Sequence, residues 1–349
     1  MDNETGQDKY ASIYRKTIED SVLFLCHWEL TYGCNLKCRH CYICRDASRQ
    51  EFTLEKAKAV MDELKELGCL YLVLSGGELF TRADFFEIAR YARKKDFALR
   101  LMSNATLIKE EDYEKIASLY PLTFETSLYA ADAQIHDTVT GVNGSFEKTL
   151  RAAQALKKLN VRVVFKFLIM KDTLDGYPKA KALAENLGIE LLFDFSVAQR
   201  DDGSTGPLQY RIEQAGLKRF FVENDIRLKR TEDPTPFICS AGLNNVLITP
   251  YLDVYPCVGL KIALGNLYRQ PLKEIWETSE MLATLRKTKD EDLRECQRCR
   301  LKYYCYRCPG LAYHENKDLW GPSRYDCSIA ETVEELITER SKEYEGCRP

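Results

Sequence analysis

Cysteine constrains this 349-residue chain more than any other residue, with 14 present against only 4 histidines. Their placement is uneven. Five fall from Cys26 to Cys44, Cys69 stands alone, seven fall from Cys239 to Cys327, and Cys347 lies in the tail. Residues 1–16 are polar and carry no basic-then-apolar export signal. The apolar run 22–30 is too short to cross a bilayer and is broken by His27 and Glu29. These features predict a cytoplasmic chain with no membrane segment. In that compartment thiols stay reduced, so the cysteines read as metal ligands or catalytic groups before disulfides. With 45% hydrophobic and 30% charged residues, the composition suits a globular core. A net charge of −3 forces no basic face, which argues against nucleic acid as a partner.

The cysteine-poor middle alternates apolar strand patterns with amphipathic helical ones. Strands are predicted over 22–30, 70–74, 98–102, 123–128, 161–170 and 190–195. Helices are predicted over 54–67, 83–93, 110–119, 146–159 and 177–187. In the first helix, Leu54, Ala57, Val60, Met61, Leu64 and Leu67 recur at helical spacing, with Thr53 as N-cap and Gly68 as the stop. Six β–α alternations predict an α/β fold, a partial (β/α)6 barrel open on one side. In such a fold the strands' C-terminal ends carry the chemistry. Here they hold residues 31–41, 75–78, 103–106, 127–130, 171 and 196–200. The expected organisation is an N-terminal extension over 1–21, the barrel over 22–230, and a cysteine-rich C-terminal domain over 231–349. Asp233-Pro-Thr-Pro236 reads as the linker.

Cys34-x3-Cys38-x2-Cys41 is a loop array after the first strand. Three thiolates hold three corners of a four-iron cluster and leave one iron for a small molecule. A zinc site, completed by Cys44 or His40, is the competing structural reading. Ser75-Gly-Gly-Glu78 ends the second strand, where two glycines allow close backbone approach and a carboxylate can accept from an ammonium. Further on, Cys296-x2-Cys299-x5-Cys305-x2-Cys308 has zinc-ribbon character. That reading leaves Cys239, Cys257 and Cys327 unexplained. Lys148 and Ser127 have ordinary readings too, as a solvated helix residue and a strand residue. His136-Asp137 reads as a possible helix cap. Asp194 and Arg200 form either a surface pair or a substrate contact.

These motifs, with Ser103–Ile108, Glu125–Tyr129 and the stretch from His136 through Gly144-Ser-Phe146, resemble the radical S-adenosylmethionine (SAM) superfamily in order and spacing. The seven later cysteines resemble its SPASM extension, an iron–sulfur domain. The resemblance implies a [4Fe-4S] cluster on Cys34, Cys38 and Cys41 that binds SAM. It assigns Gly76, Gly77 and Glu78 to the SAM ammonium. Asn104 and Ser127 would line the ribose and carboxylate region, with Lys148 as a cation for the carboxylate. By analogy, Cys296, Cys299, Cys305 and Cys327 would make an outer auxiliary cluster. Cys239, Cys257 and Cys308 would make an inner one with an open site. Two departures stand out: Gly-Gly-Glu is followed by Leu79 rather than Pro, and Asn104-Ala-Thr106 replaces Asn-Gly-Thr. The second implies that a left-handed glycine conformation is not required at residue 105.

The implied activity is an oxidoreductase that generates a 5′-deoxyadenosyl radical. The blocks 193–204 and 250–265 look most like peptide maturases related to the pyrroloquinoline quinone peptide cyclase and thioether-forming enzymes. The expected substrate is therefore a ribosomally made precursor peptide, crosslinked through a carbon–carbon or thioether bond. Expected partners are a separate leader-peptide-binding protein and an electron donor such as ferredoxin or flavodoxin. A sulfatase-maturing or tetrapyrrole-modifying radical SAM enzyme is the alternative. A zinc-stabilised binding module is the non-enzymatic one.

Overall fold

A computed structural model describes residues 6–231 and 239–346, so the Asp233–Pro236 linker and Cys347 lie outside the described residues. In chain order, α1 (Gly6–Glu19) precedes β1 (Leu25–Thr31), α2 (Leu54–Glu66), β2 (Tyr71–Gly76), α3 (Phe85–Lys94), β3 (Ala98–Met102) and α4 (Glu110–Ala117). Then come β4 (Thr123–Ser127), α5 (Ala133–Thr140), α6 (Ser145–Lys158), β5 (Val163–Leu168), α7 (Tyr177–Leu187), β6 (Glu190–Asp194) and α8 (Gln214–Glu223). The C-terminal part holds β7 (Asn245–Ile248), β8 (Asp253–Tyr255), β9 (Gly265–Asn266), α9 (Leu272–Thr278), α10 (Glu280–Lys287), α11 (Arg294–Gln297), α12 (Pro309–Asn316) and α13 (Arg324–Gly346).

The strands form one sheet in the order β6-β5-β4-β3-β2-β1-β7-β8-β9. All pairings from β6 to β7 are parallel, as the β–α alternation predicts. The barrel is partial and ends on β6. Its other edge does not stop at β1, because β7 pairs parallel to β1 and carries the antiparallel β8 and β9 onto the same sheet. The C-terminal region thus shares the barrel's hydrogen-bonded framework.

Local chemistry explains the elements. Thr53 Oγ1 accepts from Lys56 N–H to start α2, and Ala57, Val60, Met61 and Leu64 form its buried stripe. The outward faces of the strands and the helices over them supply the core, including Trp28, Phe85, Phe97, Phe124, Phe165 and Phe220. Asp137 accepts from Gly144 N–H (2.6 Å) and Phe146 N–H (2.9 Å), so it caps α6, the structural reading of His136-Asp137. The 1–21 extension contains α1, an element absent from the sequence-based assignment. Tyr10 packs edge-on to Tyr71 and Tyr14 edge-on to Phe24, which joins α1 to the N-terminal ends of the strands.

Candidate functional site

Strand register decides what faces the barrel interior. Glu29 pairs with Ser75, Met102 with Glu125, Ser127 with Lys166, and Leu168 with Asp194. Side chains alternate along a strand. These residues therefore fall on one face, and all but Glu29 line a cavity of about 700 Å³. Cys34, Cys38, Cys41, Gly76, Gly77, Ser103, Asn104, Tyr129 and Arg200 line it too. The topological expectation for strand ends thus holds: residues from five of the six predicted end segments meet there.

The cysteine loop is braced on several sides. Gly33 N–H donates to Thr31 Oγ1 at 2.9 Å, and Lys37 N–H donates to Thr140 O at 2.8 Å. Asn104 Nδ2 donates to Asn35 Oδ1 at 3.1 Å, and Asn35 Nδ2 to Thr106 Oγ1 at 2.8 Å, which ties the loop after β3 to the cysteines. Gly77 packs against the same loop. A Cβ there would meet Gly33 O at 2.3 Å and Cys34 Cβ at 3.1 Å. Gly76 has φ +133°, and its Cβ would meet Thr31 O at 2.3 Å. Backbone contact requires glycine at both positions, and the positive φ adds a conformational reason at Gly76.

Glu78 is 1% exposed and does not line the cavity. Its Oε1 accepts from Phe80 N–H (3.1 Å) and Ser103 Oγ (2.8 Å), and its Oε2 from Asn104 N–H (2.7 Å). Burial raises its pKa while these three hydrogen bonds lower it, with burial the larger effect. In this structure the carboxylate fastens the Gly-Gly loop to the loop after β3. Lys148 lies exposed on α6 and does not join the cavity; its neighbour Thr149 does, with Oγ1 donating to Asn104 O at 2.9 Å. Ala105 corrects one expectation. It sits at φ +63° and is buried, so the left-handed conformation is kept without glycine, held by Ala105 N–H donating to Ser103 Oγ.

Cys38 is pushed up to about 12 by burial, then by the charges of Cys41 and Cys34. Cys41 is also raised, by burial first, with Cys34 adding to it. Three neighbouring thiolates, Cys38 and Cys41 half-buried and Cys34 exposed, need a strongly positive centre to hold them ionised together, which fits an iron–sulfur cluster. Among the described residues, no three His, Cys, Asp or Glu side chains converge as ligands of one metal ion. A four-iron cluster instead takes each thiolate on a separate iron.

The later cysteines sort into two neighbourhoods. Cys305 is pushed up to about 12 by burial, then by Asp326, Cys327, Cys296 and Cys299. Cys257 reaches about 12 through burial, then Cys239 and Cys308. A Cβ on Gly259 would lie 3.9 Å from both Cys257 Sγ and Cys308 Sγ. The structure therefore brings together the same two sets that the sequence grouped by analogy. Of the other cysteines, Cys26 and Cys69 are buried in the core and Cys44 is half-buried.

Several site residues escaped the sequence reading. Glu29 is fully buried and accepts from Tyr32 OH (2.8 Å) and Tyr42 OH (2.6 Å). Lys261 Nζ lies 3.7 Å from Glu29 Oε2 and 3.1 Å from Asp201 Oδ1. Lys166 belongs with them. The available signal was a charge inside an apolar strand run, as in Leu25–Thr31 and Val163–Leu168.

Comparison with known proteins agrees with this geometry. The chain matches the radical SAM superfamily over residues 28–179 and the SPASM iron–sulfur cluster-binding domain over residues 239–300. It is 30% identical over 328 residues to the AdoMet-dependent heme synthase of Methanosarcina barkeri, covering 83% of this chain and 92% of that protein. It is 26% identical to the mycofactocin maturase MftC of Mycolicibacterium smegmatis, over 74% of this chain and 71% of that one. Streptococcus suis SuiB bound to its precursor peptide SuiA shares the fold, with a TM-score of 0.69 at 16% identity over 92% of this chain and 80% of that one. Sequence and fold together establish that this chain belongs to the radical SAM superfamily and is an enzyme of its SPASM branch, using SAM and [4Fe-4S] clusters.

Proposed function

We propose that this enzyme oxidatively crosslinks a ribosomally made precursor peptide, through a carbon–carbon or thioether bond. The observation that carries the reading is the charge of the cavity. Carboxylates of Glu125 and Asp194 face it beside Lys166 and Arg200. A mixed-sign surface suits a polyamide chain better than a substrate whose polar groups are all carboxylates. The cavity also lies beside β6, the terminal strand of the barrel, where an extended chain has lateral access. The likeness to the mycofactocin maturase is consistent with this.

In this reading Cys34, Cys38 and Cys41 hold the SAM-binding cluster. Gly76, Gly77, Asn104 and Ser127 face SAM, with Glu78 fixing the loops that carry them, and Lys148 stays outside the contact set. Cys296, Cys299, Cys305 and Cys327 hold the outer auxiliary cluster, and Cys239, Cys257 and Cys308 the inner one. SAM on the reduced cluster supplies hydrogen-atom abstraction from an unactivated carbon. The chain's own residues position the carbon and exclude water. The barrel over 22–230, the C-terminal domain over 231–349, a leader-binding protein and a ferredoxin or flavodoxin donor complete the proposal. Among the described residues no helix is long and apolar enough to cross a membrane.

A second reading, a tetrapyrrole substrate, is favoured by the identity to the Methanosarcina barkeri heme synthase. The test is direct. Reconstituted enzyme is incubated with SAM, reductant and either a short candidate precursor peptide or a propionate-bearing iron tetrapyrrole. Loss of two hydrogens from the peptide, located by tandem mass spectrometry, is expected. Conversion of the tetrapyrrole with an untouched peptide overturns the proposal.

A further inference from the structure

Glu125 is 2% exposed, yet its two oxygens are treated differently. Oε1 accepts from Arg100 Nε at 2.9 Å, from Arg100 Nη2 and from Thr123 Oγ1 at 3.0 Å. Oε2 is buried and has no hydrogen-bond partner. Lys166 Nζ is 3.9 Å from it, beyond hydrogen-bond reach. Glu125 and Lys166 both line the cavity, whereas Arg100 does not. A buried carboxylate oxygen left unpaired is costly, so this arrangement is complete only with a donor in the gap.

The charges select the donor. A cationic group reaching Oε2 meets the Lys166 ammonium, and an anionic group reaching Lys166 meets the Glu125 carboxylate. A neutral group that carries a donor and an acceptor side by side satisfies both. We propose that Glu125 and Lys166 read the backbone of one extended substrate residue, its N–H donating to Glu125 Oε2 and its C=O, on the same side of the chain, accepting from Lys166 Nζ. The assignment rests on the peptide reading above and deepens it. It gives the substrate half of the cavity a recognition element separate from the residues placed on SAM and on the clusters.

The test uses the reconstituted, SAM-loaded enzyme and ligand-observed saturation-transfer NMR with four small probes. These are N-acetylglycine N-methylamide, its depsipeptide analogue with an ester oxygen in place of the glycine N–H, propionate and propylammonium. The diamide is expected to bind, with the ester about tenfold weaker or worse, the usual scale for a lost hydrogen bond to a charged group. Lys166→Met should lower diamide affinity by a similar factor while the SAM Kd stays within about twofold. Glu125→Gln should let propionate bind, because the repelling charge is gone. If Glu125→Gln fails to fold with Arg100 unpaired, Lys166→Met alone decides the case. Equal binding of all four probes, a preference for propionate in the unmodified enzyme, or a fall in SAM affinity in Lys166→Met would overturn the assignment. Diamide preference in an enzyme that converts only a tetrapyrrole would sink the peptide reading and leave the amide pair standing.

Discussion

Replacing Gly77 by alanine tests whether the loop after β2 is shaped by the cysteine loop it touches. The added Cβ would stand 2.3 Å from Gly33 O, 2.9 Å from Gly33 C and 3.1 Å from Cys34 Cβ. Ordinary contact begins near 3.4 Å, so the two loops must separate by about 1 Å. No flexible side chain is available to yield, since the closest atoms are backbone. The separation pulls on two hydrogen bonds, Gly77 N–H to Thr31 O (2.7 Å) and Glu78 N–H to Gly33 O (2.9 Å). Overpacking of this kind costs about 1–3 kcal/mol of stability. The larger effect falls on chemistry, where a displacement of about 1 Å in a positioned site costs about a hundredfold in rate. The assay is SAM-dependent 5′-deoxyadenosine formation per reconstituted catalytic cluster, with the thermal midpoint measured beside it. Gly206→Ala is the control, because a Cβ there meets nothing within 4 Å. A Gly77→Ala enzyme with the rate of Gly206→Ala would refute the argument that this glycine is set by the cysteine loop.

Four further outcomes follow from the same geometry. Cys305→Ser combined with Cys327→Ser should lower iron and sulfide from about twelve to about eight per chain while 5′-deoxyadenosine formation persists, as measured by metal analysis and chromatography. His27 and His136 are each lowered to about 4, chiefly by burial, so both fold as neutral imidazoles. Their stabilising effect is present above pH 6.5 and is lost as pH falls from 6.5 toward 4. Denaturant midpoints across that range should drop less steeply in His136→Leu. Ala105→Gly should raise the thermal midpoint by relieving about 1–2 kcal/mol of left-handed strain, less about 0.5–1 kcal/mol for glycine's greater unfolded freedom. Lys261→Met leaves the buried Glu29 and the nearby Asp201 without their cation and should cost about 3–5 kcal/mol, read as a shifted denaturant midpoint.

Much of the fold was legible because strand and helix periods alternate cleanly from residue 22 to residue 195. Ala98–Met102 and Tyr177–Leu187 fall where the pattern put them, while 22–30 begins three residues before β1 because Val22 to Phe24 are apolar residues leading into the strand. The α1 helix was not legible. Its packing face of Tyr10, Tyr14 and Thr17 contains little that is strongly apolar, and beside nearby Phe24 its partners, Tyr71 and Asn244, lie far along the chain. The cysteine groups were legible through the family resemblance, since spacing alone left Cys239, Cys257 and Cys327 unexplained. The interior charges were not, because a lone Glu29 or Lys166 in a strand declares its face only once the register is fixed. Ala105 shows a different failure. Sequence gives the residue that occupies a turn, but the φ angle it must adopt is set by Ser103 and by the buried surroundings.

The position of β7 bears on how the two cysteine-rich regions stay in register. A linker alone would let the C-terminal region wander relative to the barrel. Here β7 hydrogen-bonds along β1 from Leu25 to Trp28, three residues before the strand delivers the cysteine loop. The same strand carries Glu29, which accepts from Tyr42, the residue after Cys41, and lies near Lys261, four residues after Cys257. Asp201 closes the network by donating its N–H to Tyr42 O at 2.9 Å while its carboxylate meets Lys261. One strand and one buried charge group thus link the SAM-side cysteine loop to the Cys257 loop. Buried ion networks add little net stability but penalise every arrangement that leaves a charge unpaired. The distance between the two cysteine groups is therefore held by backbone pairing and by that penalty together. In the reading proposed above, with the SAM-binding cluster on one cysteine group and an auxiliary cluster on the other, such a fixed separation matters more than extra stability.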